Sequence, residues 1–207
     1  KNPVLKNPGQ RDFRDPKVFW YSPQQKWVMV LAAGDKVSIY SSLDLKSWVF
    51  ESNIGANVGA HAGVWESPDL FELPVEGTNT TKWVMLVSCN GGPNGGTATQ
   101  YFIGDFDGKN YTIQTQPISW IDYGTDNYAG VTYNNIPSAD GRRIFIGWMS
   151  NWSYAQQVPT TTWRSTMTMP RLITLVTNGQ NYVLNFKPVD EYKTYQADTQ
   201  DTAVQAD

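Results

Sequence analysis

The pattern of apolar and polar positions consists mainly of short aliphatic and aromatic runs separated by glycine, proline, asparagine and aspartate. Runs of roughly four to eight residues bounded in this way predict β-strands joined by turns. The segment 36–42 alternates between apolar and polar residues, which predicts a strand with one buried face. No stretch combines a helical period with capping residues. The pattern therefore predicts an all-β protein.

Two of these runs open in the same way and continue into the same four residues. Asp15-Pro16 leads into a strand, a turn and Lys-Trp-Val-Met at 26–29, while Glu66-Ser67-Pro68 leads into a strand, a longer loop and Lys-Trp-Val-Met at 82–85. Self-similarity at a spacing of roughly 20 to 50 residues marks repeat architectures, and units of four short antiparallel strands are typical of a β-propeller. We expect each copy to form one propeller blade.

The repeat divides the chain into three predicted blades. Blade one covers about 15–52, blade two covers about 65–115, and blade three begins near Asp126. The outer strands of blade three are predicted at 166–176 and 182–186. Together these blades form a partial propeller domain over residues 1–188. The polar residues 189–207 are predicted to be a linker or a tail.

Two acidic residues stand where the first strands of the first two blades begin. Because first strands line the central channel of a propeller, we expect Asp15 and Glu66 to occupy equivalent points and to face each other across a pocket. Cleavage of a glycosidic bond needs an acid for the leaving oxygen and negative charge near the sugar ring. Glu66 suits the first role, and Asp15, kept ionised beside Arg14, suits the second. The alternatives are a surface glutamate and an Asp-Pro turn.

The composition narrows the classes of partner. The formal net charge of −3 gives no basic footprint for nucleic acid and no polybasic surface for a membrane. No apolar run approaches the roughly 20 residues that span a bilayer. Cys89, the only cysteine, excludes a disulfide within the chain and is expected to be buried and inert. For His61, the only histidine, a solvated loop residue is the commoner case than a general base.

Nine tryptophans give a weak indication of sugar binding, and three glycosylation sequons give a weak indication of secretion. Indole rings can stack on sugars, although we expect strand packing to account for most of them, including Trp148 and Trp152. The sequons begin at Asn79, Asn110 and Asn151, and such surface acceptors favour a secreted glycoprotein.

Four segments, taken in order, resemble those of glycoside hydrolase family 32, which includes invertases, inulinases and levanases. They are Arg14-Asp15-Pro16, Glu66-Ser67-Pro68, the segment 122–129 that begins Asp-Tyr-Gly and ends Tyr-Ala, and Trp163 within Thr-Trp-Arg-Ser. Ser67 stands where the family usually has cysteine. The resemblance extends from Asn2 to about residue 188.

The resemblance implies a five-bladed propeller of which this chain forms about the last three blades. It implies that Glu66 is the acid and Asp15 the transition-state stabiliser, with Arg14 and Trp163 contacting the sugar. Asp122 and Asp126 are further substrate-binding candidates, of which we expect one to border the site of the acid and the other to cap the turn.

The implied reaction is the retaining release of terminal β-fructosyl residues from sucrose or fructans, without a cofactor or a metal. The nucleophile, an aspartate of a Trp-Met-Asn-Asp-Pro-Asn-Gly segment, is expected outside these 207 residues. A fructan-binding module without chemistry is the alternative, and an arabinan hydrolase is disfavoured by Arg-Asp-Pro. Three blades would leave blade faces bare, so we expect further polypeptide, a second copy or another chain to complete the ring.

Overall fold

The computed structural model describes residues 2–114 and 117–196, which form three antiparallel sheets and three short 3-10 helices. The strands of the first sheet, in order, are β1 (Phe13–Tyr21), β2 (Lys26–Ala33), β3 (Val37–Ser42) and β4 (Val49–Ile54). Those of the second are β5 (Glu66–Pro74), β6 (Thr81–Asn90), β7 (Thr97–Phe106) and β8 (Tyr111–Ile113), with β9 (Ser119–Trp120) also paired to β7. Those of the third are β10 (Tyr128–Thr132), β11 (Arg143–Met149), β13 (Arg171–Asn178) and β14 (Asn181–Pro188), with β12 (Thr166–Met167) paired to β11. The 3-10 helices are Ser22–Gln24, Ala155–Gln157 and Asp190–Tyr195.

The three sheets are the three predicted blades, and the prediction of an all-β propeller is confirmed. One strand boundary was wrong. The outer strand predicted at 166–176 is two strands, β12 and β13, which pair with different parts of β11. Pro170, which has no N–H for a strand ladder, lies between them. The predicted tail includes a 3-10 helix at Asp190–Tyr195, and 197–207 lie outside the described residues.

Apolar side chains from facing sheets form two cores between the blades. The core between blades one and two contains Val28 and Met85, which come from the two Lys-Trp-Val-Met copies, and the fully buried Trp65. The core between blades two and three is built around Ile103 and Phe145, both without exposed surface. The repeated sequence therefore lies in the second strands of blades one and two, β2 and β6, most of whose residues are buried.

The far face of blade one, which no second sheet covers among the described residues, is also apolar. Met29, Leu31 and Tyr40 form a small cluster there, covered in part by Leu5. A cavity of about 570 Å³ lies between this face and the amino-terminal segment. The described sheets form an arc that does not close into a ring, as the sequence led us to expect.

Each first strand is interrupted by a bulge at the same place. The pairing register shifts between Arg14 and Lys17 in β1, between Glu66 and Asp69 in β5, and between Tyr128 and Val131 in β10. In each bulge the residue directly after Arg14, Glu66 or Tyr128 adopts a left-handed backbone. Its φ is 57° at Asp15, 46° at Ser67 and 51° at Ala129. Such bulges bend the strand and redirect its side chains.

The bulges correct one sequence-based expectation. Arg14, Glu66 and Tyr128 occupy equivalent positions, because each is the last paired residue before its bulge. Asp15 is therefore equivalent to Ser67 and not to Glu66. The two prolines that follow, Pro16 and Pro68, already fix this alignment in the sequence.

Asn151, the third sequon, is a structural residue with only 2% of its surface exposed. Its Nδ2 donates to the carbonyl oxygens of Thr97 at 3.3 Å and Thr125 at 2.8 Å, and its Oδ1 accepts from the Thr97 N–H at 3.2 Å. A Cβ on Gly96, in the glycine-rich turn before β7, would lie 2.2 Å from this Oδ1. Asn151 thus anchors the loop after β11 to blade two and cannot accept a glycan in the folded protein. Asn79 and Asn110 are exposed.

We predict that Asn151→Asp destabilises the protein by about 2–4 kcal/mol, because a carboxylate oxygen would face two carbonyl oxygens in a buried position. Asn79→Asp, the same change at an exposed sequon, is the control and should shift the free energy of unfolding by less than about 0.5 kcal/mol. Urea denaturation of both variants measures the difference. Equal stabilities would contradict the anchoring role.

Candidate active site

Glu66 is held by side chains from both neighbouring blades. Its Oε1 accepts hydrogen bonds from Arg14 Nη2 at 3.0 Å and Nε at 3.3 Å. Its Oε2 accepts one from the hydroxyl of Tyr128. Arg14 in turn donates from Nη1 to Asp12 Oδ1 at 2.7 Å. The three equivalent bulge positions thus meet in one network, centred on the carboxylate of blade two.

Asp15 is joined to the same place through the backbone. Its Oδ2 accepts a hydrogen bond from the N–H of Ser67 at 3.0 Å, and Ser67 follows Glu66 directly. The side chain of Asp15 therefore crosses from blade one to the bulge of blade two. The sequence predicted that these two carboxylates would face each other across a pocket. Asp15 is hydrogen-bonded to the residue after Glu66, but it is not among the six residues that line the cavity beside Glu66.

A cavity of about 330 Å³ opens beside Glu66 and is also lined by Ser67, Tyr128, Ala129, Trp148 and Trp152. The Trp148 and Trp152 rings lie 4.9 Å apart between centroids, and Trp148 Nε1 donates to Ser165 Oγ at 2.5 Å. Both tryptophans were expected to serve packing alone. They do contact each other, but they also form the apolar wall of the cavity that contains Glu66.

Trp163, the tryptophan expected at the sugar, lies in the segment between β11 and β12 with 66% of its surface exposed. It is not among the six residues that line the cavity beside Glu66.

Asp122 and Asp126 have different surroundings. Asp122 caps the turn before β10, because its Oδ1 accepts from the Gly124 N–H at 2.7 Å, and its Oδ2 pairs with Arg171 Nη1 at 3.0 Å. Asp126 has a buried Oδ1 without a hydrogen-bond partner among the described residues, and it lies two residues before Tyr128.

The charge states of the network follow from its contacts. Hydrogen bonds to Asp12 and then to Glu66 raise the pKa of Arg14 above its ordinary value, so the guanidinium stays cationic. Burial, followed by the hydrogen bond to Glu66, raises the pKa of Tyr128 well above its ordinary range. Tyr128 therefore keeps its proton and donates a hydrogen bond to Glu66. The site thus combines the cationic Arg14 and the neutral donor Tyr128, and both donate hydrogen bonds to the carboxyl group of Glu66.

The remaining reactive side chains have structural surroundings. His61 stacks on Trp65 at 4.9 Å, and its Nε2 lies 2.9 Å from the carbonyl oxygen of Val58. Cys89 is fully buried, and burial raises the pKa of its thiol to about 12, as expected for an inert cysteine. Within residues 2–114 and 117–196, no group of three or more metal-ligating side chains lies together, and no helix has the length and hydropathy to cross a membrane.

Some members of this site were missed by sequence reasoning. Asp12 and Tyr128 were not named as candidates, although the Tyr-Ala pair at 128–129 was recognised as a motif. Tyr128 can be recognised when the bulges are superposed, because Tyr-Ala-Gly at 128–130 then aligns with Glu-Ser-Pro at 66–68.

The fold is a partial β-propeller, and its candidate site is a carboxyl group held by an arginine and a tyrosine from neighbouring blades beside a tryptophan-lined cavity. The family profile "Glycosyl hydrolases family 32 N-terminal domain" matches residues 1–188. The chain belongs to glycoside hydrolase family 32.

Known relatives agree with this assignment. A levanase of Bacillus subtilis is 53% identical over 197 residues, which are 93% of this chain and 29% of that protein. An extracellular exo-inulinase of Aspergillus niger is 40% identical over 211 residues, covering 93% of this chain and 39% of that protein. The crystal structure of an exo-inulinase from Aspergillus awamori superposes with a TM-score of 0.85 at 38% identity, covering 93% of this chain and 40% of that one. The chain thus spans well under half the length of these relatives.

We predict that Asp122 stabilises the fold in a pH-dependent way. Burial opposes its ionisation, but the hydrogen bonds from Gly124 and Arg171 outweigh burial and lower its pKa. The stabilisation should be fully present above the unfolded pKa of about 3.9 and should be lost as the pH falls through the lower folded value. The difference in free energy of unfolding between wild type and Asp122→Asn, measured in urea from pH 6 down to about pH 2, should therefore shrink with falling pH. A difference that does not change with pH would contradict the prediction.

Proposed function

We propose that this chain is part of a glycoside hydrolase that releases terminal β-fructosyl residues from sucrose or fructans with retention of configuration. The observation that carries the proposal is the position of Glu66, fixed by two neighbouring blades at the edge of a cavity with an apolar wall. The levanase and the exo-inulinases to which the chain is similar support this substrate class.

In the proposed reaction Glu66 is the acid that protonates the leaving oxygen. A positioned acid contributes roughly 10² to 10⁴ in rate. The hydrogen bonds from Arg14 and Tyr128 hold its carboxyl group at the edge of the cavity, so the acid is oriented before the substrate binds. Once Glu66 has given up its proton, the same two donors can stabilise the negative charge that remains.

Asp15 is proposed as the stabiliser of the transition state. One of its oxygens is occupied by the Ser67 N–H, which fixes the plane of the carboxylate. Its other oxygen can accept a hydroxyl group of the fructosyl unit, while its charge favours the oxocarbenium-like state. Arg14 and Asp126 are the other polar groups that we propose for substrate binding, since Asp122, the second candidate, caps the turn before β10 with one oxygen and pairs with Arg171 through the other.

Trp148 and Trp152 are proposed as a stacking surface for a sugar ring, an interaction worth about 1 kcal/mol beyond the buried area. They line the same cavity as Glu66. Trp163 remains a second proposed contact, because an indole with most of its surface exposed is free to stack on a longer fructan.

The nucleophile is proposed to come from outside these 207 residues, because the family segment Trp-Met-Asn-Asp-Pro-Asn-Gly does not occur in the sequence. The chain by itself should then release no fructose from sucrose or inulin. We also propose a secreted protein, since similar inulinases are described as extracellular and two sequons lie on the surface.

A binding module that recognises fructans without cleaving them is the second candidate, because the proposed sugar contacts do not depend on a nucleophile. It predicts that the product of the complete open reading frame binds fructose oligomers but releases no fructose.

We predict that Glu66→Gln, made in the product of the complete open reading frame, lowers kcat on sucrose and inulin by roughly 10²- to 10⁴-fold, because the acid is removed while the shape of the side chain is kept. Calorimetry with a fructose oligomer should show that this variant still binds the substrate, with a Kd close to the KM of the wild type. Fructose release gives kcat, and the heat of binding gives Kd.

Glu72→Gln is the matched control, since Glu72 lies on the same strand and is exposed. It should leave both kcat and Kd unchanged. Full turnover by Glu66→Gln would remove Glu66 from the mechanism, and a wild-type protein that binds without turnover would favour the binding module.

A further inference from the structure

A second network of charged side chains lies on the same three strands, immediately after the bulges. Asp69, which has no exposed surface, accepts hydrogen bonds at Oδ2 from the Thr132 N–H at 2.7 Å and from Thr132 Oγ1 at 2.8 Å. Lys17 Nζ lies 3.3 Å from the same oxygen and donates to the carbonyl oxygen of Thr132 at 2.5 Å. One carboxylate oxygen therefore ties together β1, β5 and β10.

These three residues come just after the bulges along their strands, and the bulges position the candidate site. Lys17 and Asp69 are the first residues to pair again after the register shifts of β1 and β5, and Thr132 is the second in β10. The last residues to pair before the shifts are Arg14, Glu66 and Tyr128, which form the network around the Glu66 carboxyl group. A change in the distances between the three strands at Asp69 would therefore also change the distances of Arg14 and Tyr128 from Glu66.

The surroundings of Asp69 favour a single arrangement of the strands. Lys17 is largely buried. The other charged group nearby is Arg143, whose guanidinium lies 4.9 Å from the centre of the Phe71 ring. Its Nη1 donates a hydrogen bond to Thr132 Oγ1 at 3.4 Å. A buried carboxylate that loses such partners is strongly disfavoured, so the strands cannot shift independently.

We propose that Asp69 is a positioning residue for Glu66: by tying β1, β5 and β10 together behind the bulges, it sets the distances at which Arg14 and Tyr128 hold the acid. This inference rests on the proposed function of Glu66 as the proton donor. Asp69 itself touches neither that carboxyl group nor the cavity beside it.

The test is Asp69→Asn in the product of the complete open reading frame, assayed on a fructan and on an aryl β-fructofuranoside with a good leaving group. Misplacement by about 1 Å can cost up to 10²-fold, so kcat/KM on the fructan should fall about 10- to 100-fold. The aryl leaving group needs little protonation, so its kcat/KM should fall by less than about 3-fold. Binding of a fructose oligomer should be unchanged.

Glu51→Gln is the matched control, because Glu51 pairs with Lys26 at 3.5 Å in a largely buried position on blade one, away from the bulges. It should leave the ratio of the two activities at the wild-type value. If Asp69→Asn does not fold, Thr132→Val replaces it, because it removes one hydrogen bond to Asp69. Thr132→Val should then show the same selective loss on the fructan. Thr132→Ser, which keeps the hydroxyl group, should have the wild-type ratio of the two activities.

A loss of the same size on both substrates would overturn the positioning role, because it would indicate general damage to the fold. An unchanged activity on both substrates would overturn it as well. A wild-type protein inactive on both substrates would instead defeat the proposed function, and the positioning role with it.

Discussion

The bulge at the start of each first strand is the constraint on which the site depends. At this point a strand that began in register gains an extra residue in a left-handed conformation, and the side chain before it is redirected. Because the bulge recurs at Asp15, Ser67 and Ala129, the preceding side chains of three blades converge. Left-handed backbone is unfavourable for residues other than glycine, so it persists only where the surrounding structure holds it. Buried neighbours supply that support: the Ala129 N–H, for example, donates to the buried Ser88 hydroxyl at 3.1 Å.

The convergence brings together side chains that differ in chemistry although their backbones are equivalent. Blade one contributes a guanidinium, blade two a carboxyl group and blade three a phenol, and the first and third both donate to the second. A repeat architecture makes this possible, because each blade keeps its core while its bulge residue varies. The substitution of serine for the usual cysteine at Ser67 fits the same view. The hydrogen bond to Asp15 uses the backbone N–H of Ser67, so it does not depend on that side chain.

The two inter-blade cores and the polar networks have separate tasks. The cores, built around Val28, Met85, Ile103 and Phe145, hold the sheets against each other without specifying fine distances. The buried Asp69 network specifies the distances between the first strands, because charged hydrogen bonds depend on geometry far more than apolar contacts do. Asn151 does the same for the loop that delivers Trp152 to the cavity.

The sequence by itself determined most of the strands, the blade repeat and the family. These depend on local patterns and on a period that any reader of the chain can measure. Only the tertiary structure decided that Tyr128 donates a hydrogen bond to Glu66 and that Trp148 and Trp152 line the cavity beside it. Tyr128 lies 62 residues from Glu66, and Trp148 on β11 and Trp152 in the loop after it lie still further along the chain, so neither contact has a local signal in the sequence. Burial likewise separated Asn151 from the two exposed sequons, because an identical tripeptide can face solvent or the interior depending on the packing around it.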